Sequence, residues 1–142
     1  MNKTELIGTW RFKSMVLKTE SGKTVYPYGK KPFGILIYTP TGYISALLMN
    51  PDRDKFASND LKAGTTEEIK RAYENFDAYC GTYTVDENKG TVTHHVKGAK
   101  FPNWVGTDQV RYFELKNDKL QIKATLEIEG KNWHGVAVLK RE

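Results

Sequence analysis

Apolar and polar residues alternate along most of this chain, and short turn sequences separate the alternating segments. A period of two places successive side chains on opposite faces of a β-strand. The turns are brief, as at Pro40-Thr41-Gly42 and at residues 87–90. Turns of this length join neighbouring antiparallel strands. The pattern predicts about eight strands, at residues 10–17, 33–39, 43–49, 81–86, 91–96, 109–115, 120–128 and 131–140.

One segment departs from this alternation. Thr65 is followed three residues later by Glu68, which is the capping-box spacing that satisfies free amides at a helix start. Apolar residues then recur at helical spacing, at Ile69, Ala72, Tyr73, Phe76 and Cys80. Gly81 suits the left-handed conformation that ends many helices. The spacing predicts one amphipathic helix over about 65–80, with a buried thiol that serves packing.

The predicted fold class is mainly β: a closed antiparallel eight-stranded barrel with that one helix against or across its opening. Closure removes the exposed strand edges that promote aggregation. A two-sheet sandwich is the main alternative. A barrel of this size has room for packed side chains or for one small ligand.

Composition limits the other possibilities. The 142 residues, 39% of them hydrophobic, suffice for one core, so we expect a single domain over residues 1–142. The net charge of +5 is spread along the chain, which favours a solvated surface over a nucleic-acid interface. No apolar run approaches the roughly 20 residues of a membrane span. The N-terminus lacks the apolar core of a signal peptide, and Cys80 has no second cysteine to pair with. These features predict a cytoplasmic protein.

Several motifs resemble a known family. Gly8-Thr9-Trp10 is similar to the Gly-x-Trp opening of lipocalins, in which the tryptophan plugs the closed end of a barrel. Longer stretches resemble the bacterial and fungal lipocalin-like domain family, a calycin-type β-barrel. They are residues 26–29, 34–45, 50–53, 56–58, 90–96 and 101–111.

The resemblance implies a lipocalin-like barrel with a small-molecule cavity, and some relatives with such barrels act as cyclases or isomerases. Gln109 departs from the pattern, because it replaces the first tyrosine of the second lipocalin motif. The basic residue that stacks on the tryptophan in many lipocalins is either Lys140 or Arg141.

The histidines are the first candidates for chemistry. His94 shares its strand parity with Val92 and Val96, so it is predicted to point inward, whereas His95 is predicted to point outward. An inward His94 suits general acid–base chemistry or a satisfied core histidine. His134 lies on a strand whose inner face the sequence leaves open. The histidines do not have the spacing of a metal-binding motif, so no metal site is predicted, and no cofactor is predicted either.

Arg111 is the sharper candidate. If Phe113 and Leu115 face the core, Gln109 and Arg111 do so as well. A buried arginine must be paired or hydrogen bonded, and its planar fork suits a carboxylate, phosphate or enolate. A fixed internal salt bridge is the structural alternative.

Aromatic residues complete the predicted site. Tyr38, Tyr43, Tyr83 and Trp104 are expected to contribute to a cavity for a flat ligand. The 101–106 stretch reads as a loop at the barrel mouth, either a lid or a loop that folds its tryptophan into the barrel end.

Three functions follow as hypotheses, of which the last is a protein-interaction module whose barrel is filled by its own side chains. The first is a binding protein for a small, mostly apolar molecule, in which Arg111 and Gln109 orient an acidic or carbonyl group. The second is a cofactor-independent isomerase or cyclase, in which His94 moves a proton and Arg111 stabilises an oxyanion. The expected partner is a small hydrophobic molecule, and the protein is expected to be a monomer or homodimer.

Overall fold

The computed structural model describes residues 3–142, with the side chains of residues 5–142. Antiparallel strands make up most of the chain, with two α-helices and one 3₁₀ helix between them. The elements are α1 (Lys3–Leu6), β1 (Gly8–Lys18), β2 (Thr24–Val25), β3 (Phe33–Tyr38), β4 (Tyr43–Met49), α2 (Thr66–Glu74), β5 (Phe76–Asp86), β6 (Thr91–Ala99), the 3₁₀ helix (Pro102–Trp104), β7 (Asp108–Lys116), β8 (Lys119–Ile128) and β9 (Lys131–Arg141).

The sheet closes on itself, which confirms the predicted barrel and not the sandwich. Its strand order is β2-β1-β3-β4-β5-β6-β7-β8-β9, and β1 also pairs with β9. Eight strands therefore form the barrel, and β2 lies outside it as an extra strand on β1. The eight strands predicted from alternation correspond to β1 and β3–β9.

Pairing fixes which loops share an end of the barrel. Gly8 at the start of β1 pairs with Tyr38 at the end of β3, and Trp10 pairs with Arg141 near the end of β9. We call this the closed end, because α1 covers it. The opposite end, which we call the open end, carries α2 and the 3₁₀ helix.

A tryptophan fills the closed end. The side chain of Trp10 is 0% exposed, and its indole N–H donates to the carbonyl of Leu6 at 2.9 Å. The Arg141 guanidinium carbon lies 4.2 Å from the centre of the Trp10 ring. Arg141, and not Lys140, is therefore the basic residue stacked on the tryptophan.

The helix at the open end begins where predicted but is shorter. Thr65 caps it, and both hydrogen bonds of the capping box with Glu68 are present. The helix ends at Glu74, because residues 76–86 pair with β4 and β6 as strand β5. Cys80 thus lies on a strand and is exposed, which corrects its predicted place on the buried side of the helix.

Gly81 has a different role from the predicted helix cap. A Cβ atom there would lie 1.9 Å from the carbonyl oxygen of His95. The β5–β6 register shifts at this point, between Cys80 and Gly81. Gly81 therefore permits a close approach of two backbones at an irregularity of the sheet.

No helix within residues 3–142 has the length and apolar character needed to cross a membrane.

Candidate functional site

A cavity of about 110 Å³ lies inside the barrel, toward the open end. This is several times the roughly 10–15 Å³ that one enclosed water needs. Apolar side chains form most of its wall, five polar or charged groups interrupt it, and Trp104 lies at the rim. The apolar residues include Phe12, Met15, Leu36, Leu48, Ile122 and Leu126; the polar ones are Tyr28, Asp77, Tyr79, His94 and Arg111.

His94 lies on β6 and points inward, as its parity predicts. It is 2% exposed, and each ring nitrogen contacts a tyrosine hydroxyl. The distances are 2.7 Å from Nε2 to Tyr38 and 2.7 Å from Nδ1 to Tyr79. Burial, with a smaller contribution from the nearby Arg111 charge, lowers the pKa of His94 to about 3. The imidazole is therefore neutral at physiological pH.

Arg111 also points inward, from β7, and is 8% exposed. Its guanidinium carbon lies 5.8 Å from the centre of the Trp104 ring, and Nη1 donates to the carbonyl of Val110 at 3.3 Å. Its charge also acts on the Tyr79 hydroxyl, where it opposes the rise in pKa that burial causes. Within residues 5–142, no carboxylate forms an ion pair with Arg111, so the internal salt bridge considered from sequence is not formed.

Asp77 adds a negative group to the cavity wall. Burial raises the pKa of its carboxyl, and the charges of Lys100 and Arg111 act in the opposite direction. Burial, and then Asp77 itself, raises the pKa of the Tyr28 hydroxyl. Asp77 and Tyr79 were not among the predicted ligand contacts, because the apolar spacing placed both on the helix, whereas they lie on β5. With β5 beginning at Phe76, the inward parity of Gly81 and Tyr83 would have identified Tyr79.

Trp104 lies at the cavity rim and packs edge-on against Tyr79, with ring centres 5.5 Å apart. Phe101 packs on its other side, at 6.1 Å. Its ring is half-buried, so the loop folds the tryptophan toward the barrel end.

Four of the predicted ligand contacts do not line the cavity. Tyr38 is buried, and its hydroxyl contacts His94. Tyr83 is buried, but its hydroxyl donates to the carbonyl of Thr39 at 2.9 Å on the closed-end side of the cavity. Gln109 is half-buried and donates to the Thr107 hydroxyl at 2.9 Å, outside the cavity wall. Tyr43 is 58% exposed on the outer face of β4, so its predicted place in the cavity is wrong.

The histidines do not converge. His95 points outward, where Nδ1 lies 2.7 Å from Asp108 and Nε2 lies 3.0 Å from the Thr84 hydroxyl. His134 is exposed on β9. Among the described residues, no three His, Cys, Asp or Glu side chains are grouped to hold a metal ion.

Comparison with known proteins adds two findings. A sequence model of the lipocalin-like domain matches residues 7–142. A 4′-hydroxy-3′-methoxypropiophenone carrier protein from Aspergillus oryzae is 33% identical over 85 residues, which cover 56% of this chain and 77% of that protein.

Proposed function

We propose that this chain, which belongs to the lipocalin-like domain family, is a carrier for a small, mostly apolar aromatic molecule with a carbonyl or acidic group. The observation that carries the proposal is the buried, cavity-facing Arg111, which has no carboxylate partner among the described residues. Asp77 lies in the same cavity wall but forms no ion pair with Arg111, and a buried charge without a directly paired counter-charge is costly. A ligand oxygen in the cavity would offset that cost.

The cavity wall supports an aromatic ligand. Tyr79 and Trp104 present ring edges and faces beside apolar side chains. Such walls supply most of the binding free energy, while a few polar groups fix the orientation. The Aspergillus oryzae relative is named as a carrier for an aryl ketone, which has both a ring and a carbonyl oxygen. We extend to this chain the same ligand chemistry, and with it the expected cytoplasmic location.

The isomerase or cyclase hypothesis finds less support. A general acid or base works best with a pKa near the working pH, whereas the pKa of His94 is lowered to about 3. Both of its ring nitrogens are also engaged by Tyr38 and Tyr79. These contacts suit a fixed structural histidine better than one that exchanges protons with a substrate.

The test is a titration with 4′-hydroxy-3′-methoxypropiophenone, measured by calorimetry and by the change in tryptophan fluorescence. We expect saturable binding at one site per chain. Arg111→Met should weaken that binding, while Tyr43→Phe, on the outer face, should leave it unchanged. Equal affinities for Arg111→Met and the unmodified protein would contradict the proposed role of Arg111. Absence of binding for this compound and for smaller aryl ketones would contradict the carrier function itself.

A further inference from the structure

The hydrogen bonds around His94 determine which way each proton points. A neutral imidazole has one N–H donor and one bare acceptor nitrogen. Tyr38 and Tyr79 contact the two nitrogens at equal distances of 2.7 Å. One tyrosine therefore donates to the ring and the other accepts from it, and two arrangements are available.

Burial distinguishes these arrangements. Tyr38 is 1% exposed, and within residues 5–142 its hydroxyl hydrogen bonds to His94 alone. If Tyr38 accepted from Nε2–H, its own hydrogen would be buried without an acceptor, which is unfavourable. If Tyr38 donates to Nε2 instead, its hydrogen has an acceptor, and the hydroxyl hydrogen left over belongs to Tyr79, which lines the cavity. The tautomer is then the one with the proton on Nδ1.

This choice fixes the role of Tyr79. Its oxygen accepts from Nδ1–H of His94. Neither that N–H nor the nearby Arg111 guanidinium can accept a hydrogen bond. The Tyr79 hydroxyl hydrogen must find its acceptor elsewhere, and Tyr79 lines the cavity.

We propose that His94 is a positioning residue that Tyr38 holds in the Nδ1–H tautomer, so that Tyr79 and Arg111 both present N–H or O–H donors to the cavity. This inference rests on the proposed function and specifies its ligand. The two donors select the acceptor oxygen of a carbonyl group on an aromatic ring. They select against the corresponding hydrocarbon, which has no acceptor.

The arrangement also explains why a buried polar chain crosses the barrel interior. Tyr38 belongs to the core near the closed end, His94 lies between, and Tyr79 reaches the cavity. A donor set before the ligand arrives loses little freedom on binding, which favours affinity.

The first experiment measures the tautomer without any ligand. The ¹⁵N shifts of histidine ring nitrogens distinguish a protonated nitrogen from a bare one. We expect His94 to carry its proton on Nδ1 at neutral pH. A proton on Nε2 would overturn the inference, whether or not the protein binds aryl ketones.

The second experiment measures selectivity with propiophenone and propylbenzene, which differ in the carbonyl oxygen. We expect propiophenone to bind more tightly, and Tyr38→Phe to weaken its binding by about tenfold without affecting propylbenzene. Tyr38 does not line the cavity. A loss of ketone affinity in Tyr38→Phe therefore reports on the tautomer of His94 and not on a lost contact with the ligand.

Tyr83→Phe is the matched control. Tyr83 is another buried tyrosine, packed edge-on against Tyr38 at 4.8 Å, but its hydroxyl donates to a backbone carbonyl. It should lower stability without changing selectivity, and a urea midpoint for each variant confirms folding. Equal affinities for the two compounds in the unmodified protein would overturn the selectivity while leaving the carrier function intact. If neither compound binds, the carrier function and the selectivity both fail, and the ¹⁵N spectrum still decides the tautomer.

Discussion

A tryptophan lies beside an arginine at each end of the barrel, and the two pairs differ in how the arginine is satisfied. At the closed end, Arg141 donates to the backbone carbonyls of Ile7 and Glu5, at 2.9 and 2.6 Å. At the open end, Arg111 faces a cavity and has no ion-pair partner among the described residues. A side chain whose hydrogen bonds are complete stabilises the fold. One left incomplete in a cavity can be completed by a ligand oxygen, which is the role we propose for Arg111.

The largest expected effect is the difference in stability between variants of the two tryptophans. Trp10→Ala should lower the free energy of unfolding by about 3–5 kcal/mol, because it empties a fully buried site. Trp104→Ala should cost less than about 1.5 kcal/mol, because that ring is half-buried in a loop. Urea unfolding followed by circular dichroism measures both. Similar losses would remove the distinction between the two ends.

The two arginines should differ mainly in ligand affinity, with the larger loss of affinity at the open end. Arg111→Met should reduce ketone affinity by about 1–3 kcal/mol, or roughly five- to 150-fold, because a charged hydrogen bond is lost. Its effect on stability should be small, since replacing a buried charge by an apolar side chain is often neutral. Arg141→Met should lower stability and leave affinity unchanged. Calorimetry and urea unfolding of both variants make the comparison, which fails if Arg141→Met weakens binding as much.

The pH dependence of stability tests the interior beneath the open end. The pKa of His94 is about 3 in the folded state and near 6.5 when unfolded. Between these values the unfolded chain binds more protons, so stability falls as pH decreases from about 6.5 and is constant above it. The slope from this one group is at most about 1.4 kcal/mol per pH unit.

Asp77 acts in the opposite direction, because burial raises its pKa in the folded state. The comparison with His94→Gln isolates the histidine, since Asp77 is common to both proteins. Unfolding midpoints at pH 7 and pH 5 should differ less in the variant than in the unmodified protein. The same pH dependence in both would contradict the buried, neutral state of His94.

The smallest effect concerns the helix over the open end. Thr65→Ala removes the side-chain acceptor at the start of α2, which typically costs about 1 kcal/mol. None of the α2 residues is buried, so the loss should appear as faster amide exchange within α2 and not across the barrel. Exchange that rises equally in β1 and β9 would show that α2 and the closed end unfold together.

Much of the barrel was predictable, because the period of two survives in most strands. The exception is residues 76–80, where the apolar positions fit a helix as well as a strand. Pairing of Phe76 with Met49 and of Cys80 with Ser45 decides in favour of the strand. Those contacts are remote in sequence, so local periodicity carries no trace of them.

The candidate site divides in the same way. Parity alone places His94 and Arg111 inside. The partners of His94 lie 56 and 15 residues away, and the sequence does not state that they meet. The prediction for Tyr43 is wrong for a simpler reason. Alternation shows which residues of β4 share a face with Tyr43, but not which face points into the barrel. The face of Ile44 and Leu48 points inward, and Tyr43 lies on the other.

The pairing of β1 with β9 has a consequence for the folding kinetics. Trp10 pairs with Arg141, so the seam of the barrel joins residues from opposite ends of the described chain. Such distant contacts form late, because a long loop must close before they contribute. The cavity is complete only after that step. A ligand that binds only the closed barrel would therefore stabilise the paired seam against its open form, and the open form would become rarer as the ligand concentration rises.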